Sequence, residues 1–167
     1  MHHQNQSIMQ LTEAKNLALN LMREHKLLNM GWTFEFDNAR RRFGVCRYRT
    51  KKIGLSKHLV SLNDEARVKN TILHEIAHAL VGAGHGHNNV WRRKAIEIGC
   101  DGERCYSTKV VETPESRYIA ECKGCGKVHK RHKMTRSLKF GSSSCGTCSN
   151  GRYNPIFKLE WILNPNF

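Results

Sequence analysis

The stretch over residues 71–91 constrains this chain most, because it combines a helical pattern with the spacing of a metal site. Its apolar positions predict a core helix that ends near Gly82. Within that helix, His74, Glu75 and His78 form an HExxH pattern. Residues i and i+4 of a helix lie about 40° apart around its axis, so both imidazoles can reach one ion. A catalytic zinc lowers the pKa of a bound water toward about 7, and a carboxylate placed like Glu75 can then take its proton.

A third ligand has to come from outside this pattern, since a catalytic zinc usually takes three protein ligands and keeps one position open. His87 follows the helix after a glycine-rich turn, and His85 lies two residues before it. Glu97 is a carboxylate on the next predicted helix. We favour His87 as the third ligand, with His85 and Glu97 as alternatives.

The charge balance of the chain predicts an acidic partner. Lys and Arg number 28 against 14 Asp and Glu, which gives a formal net charge of +14 at pH 7. Such an excess concerns partners and solubility rather than the fold, and nucleic acid is the leading candidate. Arg40, Arg41 and Arg42 concentrate positive charge in one turn and are candidates for phosphate contacts. The alternative is a solvated hairpin tip.

The seven cysteines are more readily explained as metal ligands than as disulfides. No apolar segment typical of a secretory signal follows Met1, and no run of about 18 apolar residues is long enough to span a membrane. We therefore expect a cytoplasmic or nucleoid-associated monomer without a membrane partner.

The periodicity of the chain predicts an α+β fold of the zincin type. An amphipathic helix is predicted over residues 8–29, and three short strands over 32–36, 43–49 and 51–55 are expected to form a small antiparallel sheet. Ser61 or Asn63 is expected to cap the metal-binding helix, and Asn88 or Asn89 to cap a helix over residues 90–98. Cys46, Cys100 and Cys105 are interpreted as packing residues.

Two CxxC pairs, Cys122 with Cys125 and Cys145 with Cys148, predict a second metal site. Four thiolates close a tetrahedral site with no open position, so this zinc is expected to be structural. A segment as short as this one needs such an ion to fold. His129 and His132 are alternative ligands. The predicted organisation is a catalytic domain over residues 1–100, a linker or irregular segment over 101–117, and a zinc ribbon with a last strand over 118–167.

The ribbon is also strongly basic, because no acidic residue lies between Cys122 and Cys148. His129, His132 and Phe140 interleave with the basic residues and could stack on exposed bases. Nothing in the segment indicates recognition of a defined base sequence. The candidate nucleic-acid contacts of the ribbon are Lys127, Lys130, Arg131, Lys133 and Arg136.

Three parts of the chain together resemble the SprT-like metalloprotease family, which includes the Spartan proteases. They are the HExxH helix followed by a glycine-rich turn and His87-Asn88-Asn89-Val90-Trp91, the stretch that begins Trp32-Thr33-Phe34-Glu35-Phe36, and the CxxC pairs. The family's third ligand is a histidine followed four residues later by an aromatic, and His87 and Trp91 fit that frame. Asn88 stands where the family usually has glycine. The resemblance covers about residues 10–150.

Together these features predict a zinc endopeptidase that acts on DNA-associated proteins. His74, His78 and His87 would hold the catalytic zinc, and Glu75 would act as general base. The resemblance implies the DNA-linked role, which is cleavage of proteins crosslinked to DNA. From the composition of the ribbon, we expect the DNA partner to be single-stranded or non-sequence-specific. One alternative is a non-enzymatic nucleic-acid-binding adaptor with a structural or inactive HExxH site. Another is a zinc hydrolase of a non-peptide substrate.

Overall fold

The computed structural model describes residues 8–104, 111–139, 141 and 143–167. Two compact units divide the chain, Met1–Pro114 and Glu115–Phe167. Their boundary lies inside the segment 101–117 that the sequence predicts as a linker, and Val111 in that segment is still buried in the core of the first unit. Each unit combines helical segments with a three-stranded sheet, so the chain is a mixed α/β protein.

The first unit surrounds one long helix with a sheet and three further helices. In chain order its elements are α1 (Leu11–Glu24), β1 (Thr33–Asp37), β2 (Gly44–Arg47), β3 (Lys52–Ser56), α2 (Lys57–Val60), α3 (Glu65–Val81) and α4 (Asn89–Glu97). The side chains of Val68, Ile72 and Ile76 on α3 are fully buried. Helix α3 is therefore the centre of the core, and it holds the HExxH pattern in place.

The sheet of this unit is mixed, so the prediction of an antiparallel sheet is wrong. Strand β3 lies in the middle, antiparallel to β2 and parallel to β1. It takes the central place because Ile53 and Leu55 are fully buried, whereas β1 and β2 are only partly buried. Stepping across one strand requires about 10 Å, and the six residues of segment 38–43 can span about 20 Å.

Helix α1 is shorter than the predicted helix over residues 8–29. It begins after Gln10, whose backbone N–H donates to the Glu13 carboxylate at 3.0 Å. It ends at Glu24, and Lys26 soon afterwards has a φ of 60°, which a right-handed helix does not contain. The buried positions on its inner face are Ala14, Ala18, Leu21 and Met22.

The cap of α3 is Asp64, whose carboxylate accepts a hydrogen bond from the Arg67 backbone N–H at 2.8 Å. The predicted caps Ser61 and Asn63 are wrong, because Ser61 ends helix α2 and Asn63 is used elsewhere. The Asn63 side chain accepts from the Glu112 backbone N–H at 3.0 Å and donates to its carbonyl at 2.9 Å. Asn63 thereby ties the last described segment of this unit to the start of α3.

The single cysteines of the first unit have packing environments. Cys100 is buried in the core, and Cys46 is half-buried against it. Burial raises the pKa of Cys46 to about 12 and that of Cys100 to about 11, so both remain thiols at neutral pH. Cys105 lies outside the described residues.

The second unit has its own small sheet and core. Its elements are β4 (Tyr118–Glu121), β5 (Val128–Arg131), α5 (Arg136–Lys139) and β6 (Ile162–Leu163). Both β5 and β6 pair antiparallel with β4. The buried core is formed by Ala120, Cys122, Cys145 and Leu159. Because only four residues form this core, apolar burial contributes little to the stability of the unit.

No helix in the described part of the chain combines the length and apolar character needed to cross a membrane.

Candidate metal centre and catalytic cleft

Three imidazoles converge in the first unit. His74 and His78 lie one turn apart on α3, and His87 comes from the turn before α4. The Nε2 atom of His87 lies 3.0 Å from that of His74 and 3.1 Å from that of His78. Their ligand atoms form one group that could hold a metal ion.

The other two candidates for the third ligand lie elsewhere. The ring of His85 is turned toward Asn88, with 3.4 Å between its Nδ1 and the amide nitrogen. Glu97 pairs with Lys94 at 2.6 Å, and its side chain is 63% exposed. Among the described residues, the geometry therefore brings His87 to the HExxH pair, and neither alternative joins them.

Trp91 supports all three imidazoles from one side. Its side chain is 1% exposed, and its ring centroid lies 4.6 Å from that of His74, 5.1 Å from that of His78 and 4.6 Å from that of His87. Asn88 fixes the start of α4, because its side chain accepts from the backbone N–H groups of Val90 and Trp91. The predicted cap at Asn88 is thus confirmed. Asparagine provides this cap at the position where the family that the sequence resembles usually has glycine.

The donor chemistry of this group fits zinc. Three nitrogens bound to one tetrahedral zinc at about 2.0–2.1 Å lie about 3.3 Å from each other, which is close to the separations found here. Burial and the neighbouring histidines lower the pKa of His74 to about 4, and burial and His87 lower that of His78 to about 4. At neutral pH both rings are neutral and can offer a lone pair, as metal ligation requires.

Glu75 is buried against strand β2. Its side chain is 7% exposed, and a Cβ added to Gly44 would lie 2.6 Å from its Oε1 atom. Burial raises the pKa of Glu75 to about 8, although the charge of Arg42 and a hydrogen bond from the Cys46 backbone N–H oppose this shift. Gly44 has no side chain, so it leaves just enough room for the carboxylate beside β2. The contact with the strand then sets the position of Glu75.

A cavity of about 710 Å³ opens over Glu75 and the three histidines. Strand β2 and Tyr48 just after it contribute to its lining, as do Asp101, Glu103 and Arg104, which follow helix α4. The charged side chains on its wall, other than Glu75, are Arg41, Arg42, Arg67, Asp101, Glu103 and Arg104. The cavity is large enough to admit a short extended peptide.

A family model described as the SprT-like family matches residues 10–112 of this chain. This match covers more than half of the chain, together with the three histidines and Glu75. The chain belongs to the SprT-like family. Membership is consistent with a zinc metallopeptidase. No curated protein matches the chain.

A four-cysteine cluster lies beyond the segment that the SprT-like model covers. The Sγ atoms of Cys122 and Cys148 are 3.7 Å apart, and those of Cys125 and Cys145 are 3.8 Å apart. Four thiolates bound to one zinc at about 2.3 Å lie about 3.8 Å from each other, so this cluster also fits zinc. Within the part of the chain that the structure describes, the cluster includes neither His129 nor His132.

The predicted nucleic-acid contacts of this SprT-like chain are divided between the two units. In the first unit, Arg42 pairs with Asp37, and Arg41 and Arg42 line the cavity. Part of the predicted basic turn therefore belongs to the cleft of the candidate active site. In the second unit, the predicted contact residues Lys127, Lys130, Arg131, Lys133 and Arg136 are all exposed.

Among these contact residues, Lys130 and Arg131 lie beside other groups of the second unit. Lys130 lies 3.9 Å from the Glu115 carboxylate, and the Arg131 guanidinium lies 5.4 Å from the ring centroid of Trp161. Phe140 lies outside the described residues. An arginine over an aromatic ring and an exposed lysine are groups that can stack on bases and bind phosphates.

Sequence reasoning did not identify the residues of β2 and just after it that share the cavity with Glu75. Gly44 and Cys46 of β2 and the following Tyr48 all line the cavity. One signal was present, since a glycine inside a predicted strand often marks a close approach by another group. Which group approaches depends on how the strand packs on α3, and the sequence pattern does not contain that information.

Proposed function

We propose that this SprT-like protein is a zinc-dependent endopeptidase that cleaves DNA-associated proteins, as in DNA–protein crosslink repair. One observation carries the peptidase part, namely the convergence of three imidazoles beside a buried carboxylate at the floor of an open cavity. Family membership supports the same reaction class.

His74, His78 and His87 would hold the catalytic zinc in this proposal. When bound, zinc polarises a carbonyl and makes water acidic enough to lose a proton near neutral pH. The charge of a bound cation would lower the pKa of Glu75 below the value of about 8 that burial gives it, and its carboxylate would then accept that proton and later give it to the nitrogen of the departing amine. Gly44 and the Cys46 backbone N–H keep the carboxylate in position for both transfers.

The DNA-linked part of the proposal rests on charge. The carboxylates of Glu115 and Glu160 pair with two lysines of the ribbon, and segment 122–148 contains no acidic residue to balance its other cations. A structural zinc on the four cysteines would hold this basic segment in one conformation. We infer that it binds the phosphates of single-stranded or non-specific DNA and keeps the peptidase near its substrates.

The decisive test is cleavage of a basic DNA-binding protein by the zinc-loaded chain, with and without single-stranded DNA. Glu75→Gln is the control, because it keeps the side-chain volume and removes the base. We expect DNA-stimulated cleavage by the native chain and a loss of about 10³-fold or more in the variant. Metal analysis should find two zinc ions in both proteins.

Other outcomes favour other functions. If neither protein cleaves but both bind DNA, the chain is a nucleic-acid-binding adaptor. If turnover depends on Glu75 but only a non-peptide bond is broken, the site belongs to a different zinc hydrolase. Cleavage that Glu75→Gln leaves unchanged would contradict the proposed role of this residue.

A further inference from the structure

Besides Gly44, the segment that begins with strand β2 contributes two polar side chains to the cavity that contains Glu75. Gly44 marks the point where the strand meets the carboxylate, and Cys46, two residues further along the strand, points to the same face. Tyr48 comes directly after the strand, as the first residue of a short 3-10 helix, and both Cys46 and Tyr48 line the cavity together with Glu75. A thiol and a phenol therefore face the same space as the candidate general base.

The ring of Tyr48 is anchored while its hydroxyl is only weakly engaged. The ring packs edge-on against Trp32, with 6.4 Å between their centroids, and lies partly buried on the core. The Cys46 side chain lies close enough to the hydroxyl for each group to shift the pKa of the other. A thiol sulfur is a weak acceptor, so the hydroxyl can turn from it to an oxygen at low cost.

Other neutral donors on the cavity wall are already committed. The Asn70 amide donates to the Asp101 carboxylate at 2.8 Å, and the Thr71 hydroxyl donates to the Arg67 carbonyl at 3.0 Å. Burial, followed by the charges of Cys46 and Glu75, raises the pKa of Tyr48, so its hydroxyl keeps its proton at neutral pH. Among the described cavity residues, Tyr48 is the neutral donor best able to change partner.

We propose that Tyr48 is a catalytic residue whose hydroxyl donates a hydrogen bond to the carbonyl oxygen of the scissile peptide as negative charge develops there. This proposal rests on the proposed peptidase function. The bond strengthens toward the transition state, because a developing oxyanion is a better acceptor than an amide oxygen. The phenol keeps its proton throughout, and the hydroxyl returns to Cys46 when the product leaves.

The first test compares Tyr48→Phe with the native chain in cleavage of a peptide substrate. The loss of one donor to an oxyanion lowers kcat by about 10²-fold, and KM changes little because the ground state hardly uses the bond. Tyr153→Phe is the matched control, since this exposed tyrosine in the second unit loses the same atom. Unchanged zinc content and Tm in Tyr48→Phe would exclude loss of the fold as the cause.

The second test measures binding rather than turnover. A phosphinic peptide carries a tetrahedral, charged centre in place of the scissile amide, so it requires the same donor. Calorimetry should show that Tyr48→Phe weakens its binding by about the same factor as it lowers kcat. Binding of the uncleaved substrate peptide, measured in the Glu75→Gln background, should change by less than about threefold.

These results separate the inference from the function on which it rests. A native chain that cleaves no peptide would overturn both. If the native chain cleaves peptide, two results would overturn only the role of Tyr48. One is a kcat in Tyr48→Phe that is lowered by less than about fivefold. The other is an equal loss of binding affinity for the phosphinic peptide and the substrate peptide. A misfolded variant could not have a normal kcat. A normal kcat in Tyr48→Phe would therefore count directly against the proposed role of Tyr48.

Discussion

At the scale of single residues, the candidate active site depends on a glycine that is not itself a candidate metal ligand. Gly44 lies so close to Glu75 that an added methyl group would meet Oε1 at 2.6 Å, Cγ at 2.8 Å and Cδ at 3.0 Å. The carboxylate cannot retreat easily, because its side chain is almost fully buried. The position of the candidate base is therefore set jointly by helix α3 and strand β2.

Gly44→Ala is expected to displace the Glu75 carboxylate and lower peptide cleavage by about 10²-fold, since a shift of about 1 Å is enough for such a loss. Overpacking should also lower stability by about 1–3 kcal/mol. Zinc content should stay unchanged, because all three histidines lie outside the strand. Kinetics, metal analysis and thermal unfolding of the same preparation test these expectations together.

Gly146→Ala is the control for the glycine substitution, because an added Cβ there meets nothing within 4 Å. It should leave peptide cleavage within about twofold of the native rate. Native activity in Gly44→Ala would show that Glu75 has room to move and that the strand does not fix its position.

At the scale of elements, the third histidine depends on how helix α4 begins. His87 directly precedes Asn88, whose side chain accepts from the backbone N–H groups of Val90 and Trp91. Trp91 in turn contacts all three imidazoles. The cap, the aromatic ring and the ligand therefore form one local structure.

Asn88→Ala should cost about 1 kcal/mol of stability, because the helix loses its cap, whereas Asn88→Gly should cost only a few tenths. We also expect the alanine variant to bind zinc at the histidine site more weakly, since His87 is no longer held by an ordered helix start. Competition with a chelator measures this affinity. Asn89→Ala changes an exposed neighbour on the same helix and should leave the affinity unchanged; an equal loss there would argue against the cap.

The helices and strands also differ in how far the local sequence predicts them. Helix α3 was predictable, because its apolar period and its histidine spacing are local properties of one segment. The pairing of β1 with β3 was not, because it depends on which strand is buried deepest in the assembled core. Asp64 displaced Ser61 and Asn63 as cap for a similar reason, since Asn63 bonds to Glu112 far along the chain.

The same distinction holds at the candidate site. His74, Glu75, His78 and the four cysteines follow from motifs with fixed spacing. His87 is favoured over His85 and Glu97 because it follows the glycine-rich turn and has Trp91 four residues later, as the family resemblance requires. Gly44 comes from strand β2 and Tyr48 from the position just after it, and the packing of this segment on α3 places both on the cavity with Glu75. Contacts between segments distant in sequence are the part that periodicity and motif spacing do not reveal.

At the scale of the whole molecule, the two units have different sources of stability. The first unit buries a continuous apolar core around α3. The second has a core of two apolar residues beside Cys122 and Cys145, so the four-cysteine site has to supply much of its stability. Metal loss should therefore affect the two units unequally.

Cys125→Ser is expected to release one of two zinc ions and to unfold the second unit while the first unit remains folded. Amide hydrogen exchange should show lost protection in segment 115–167 and unchanged protection in α3. DNA binding should fall with the unit, whereas cleavage of a short peptide without DNA should continue, because the histidine site lies in the first unit. Loss of protection in both units would show that the four-cysteine site stabilises the whole chain. DNA binding at native strength in Cys125→Ser would place the DNA contacts in the first unit, where Arg41 lines the cavity.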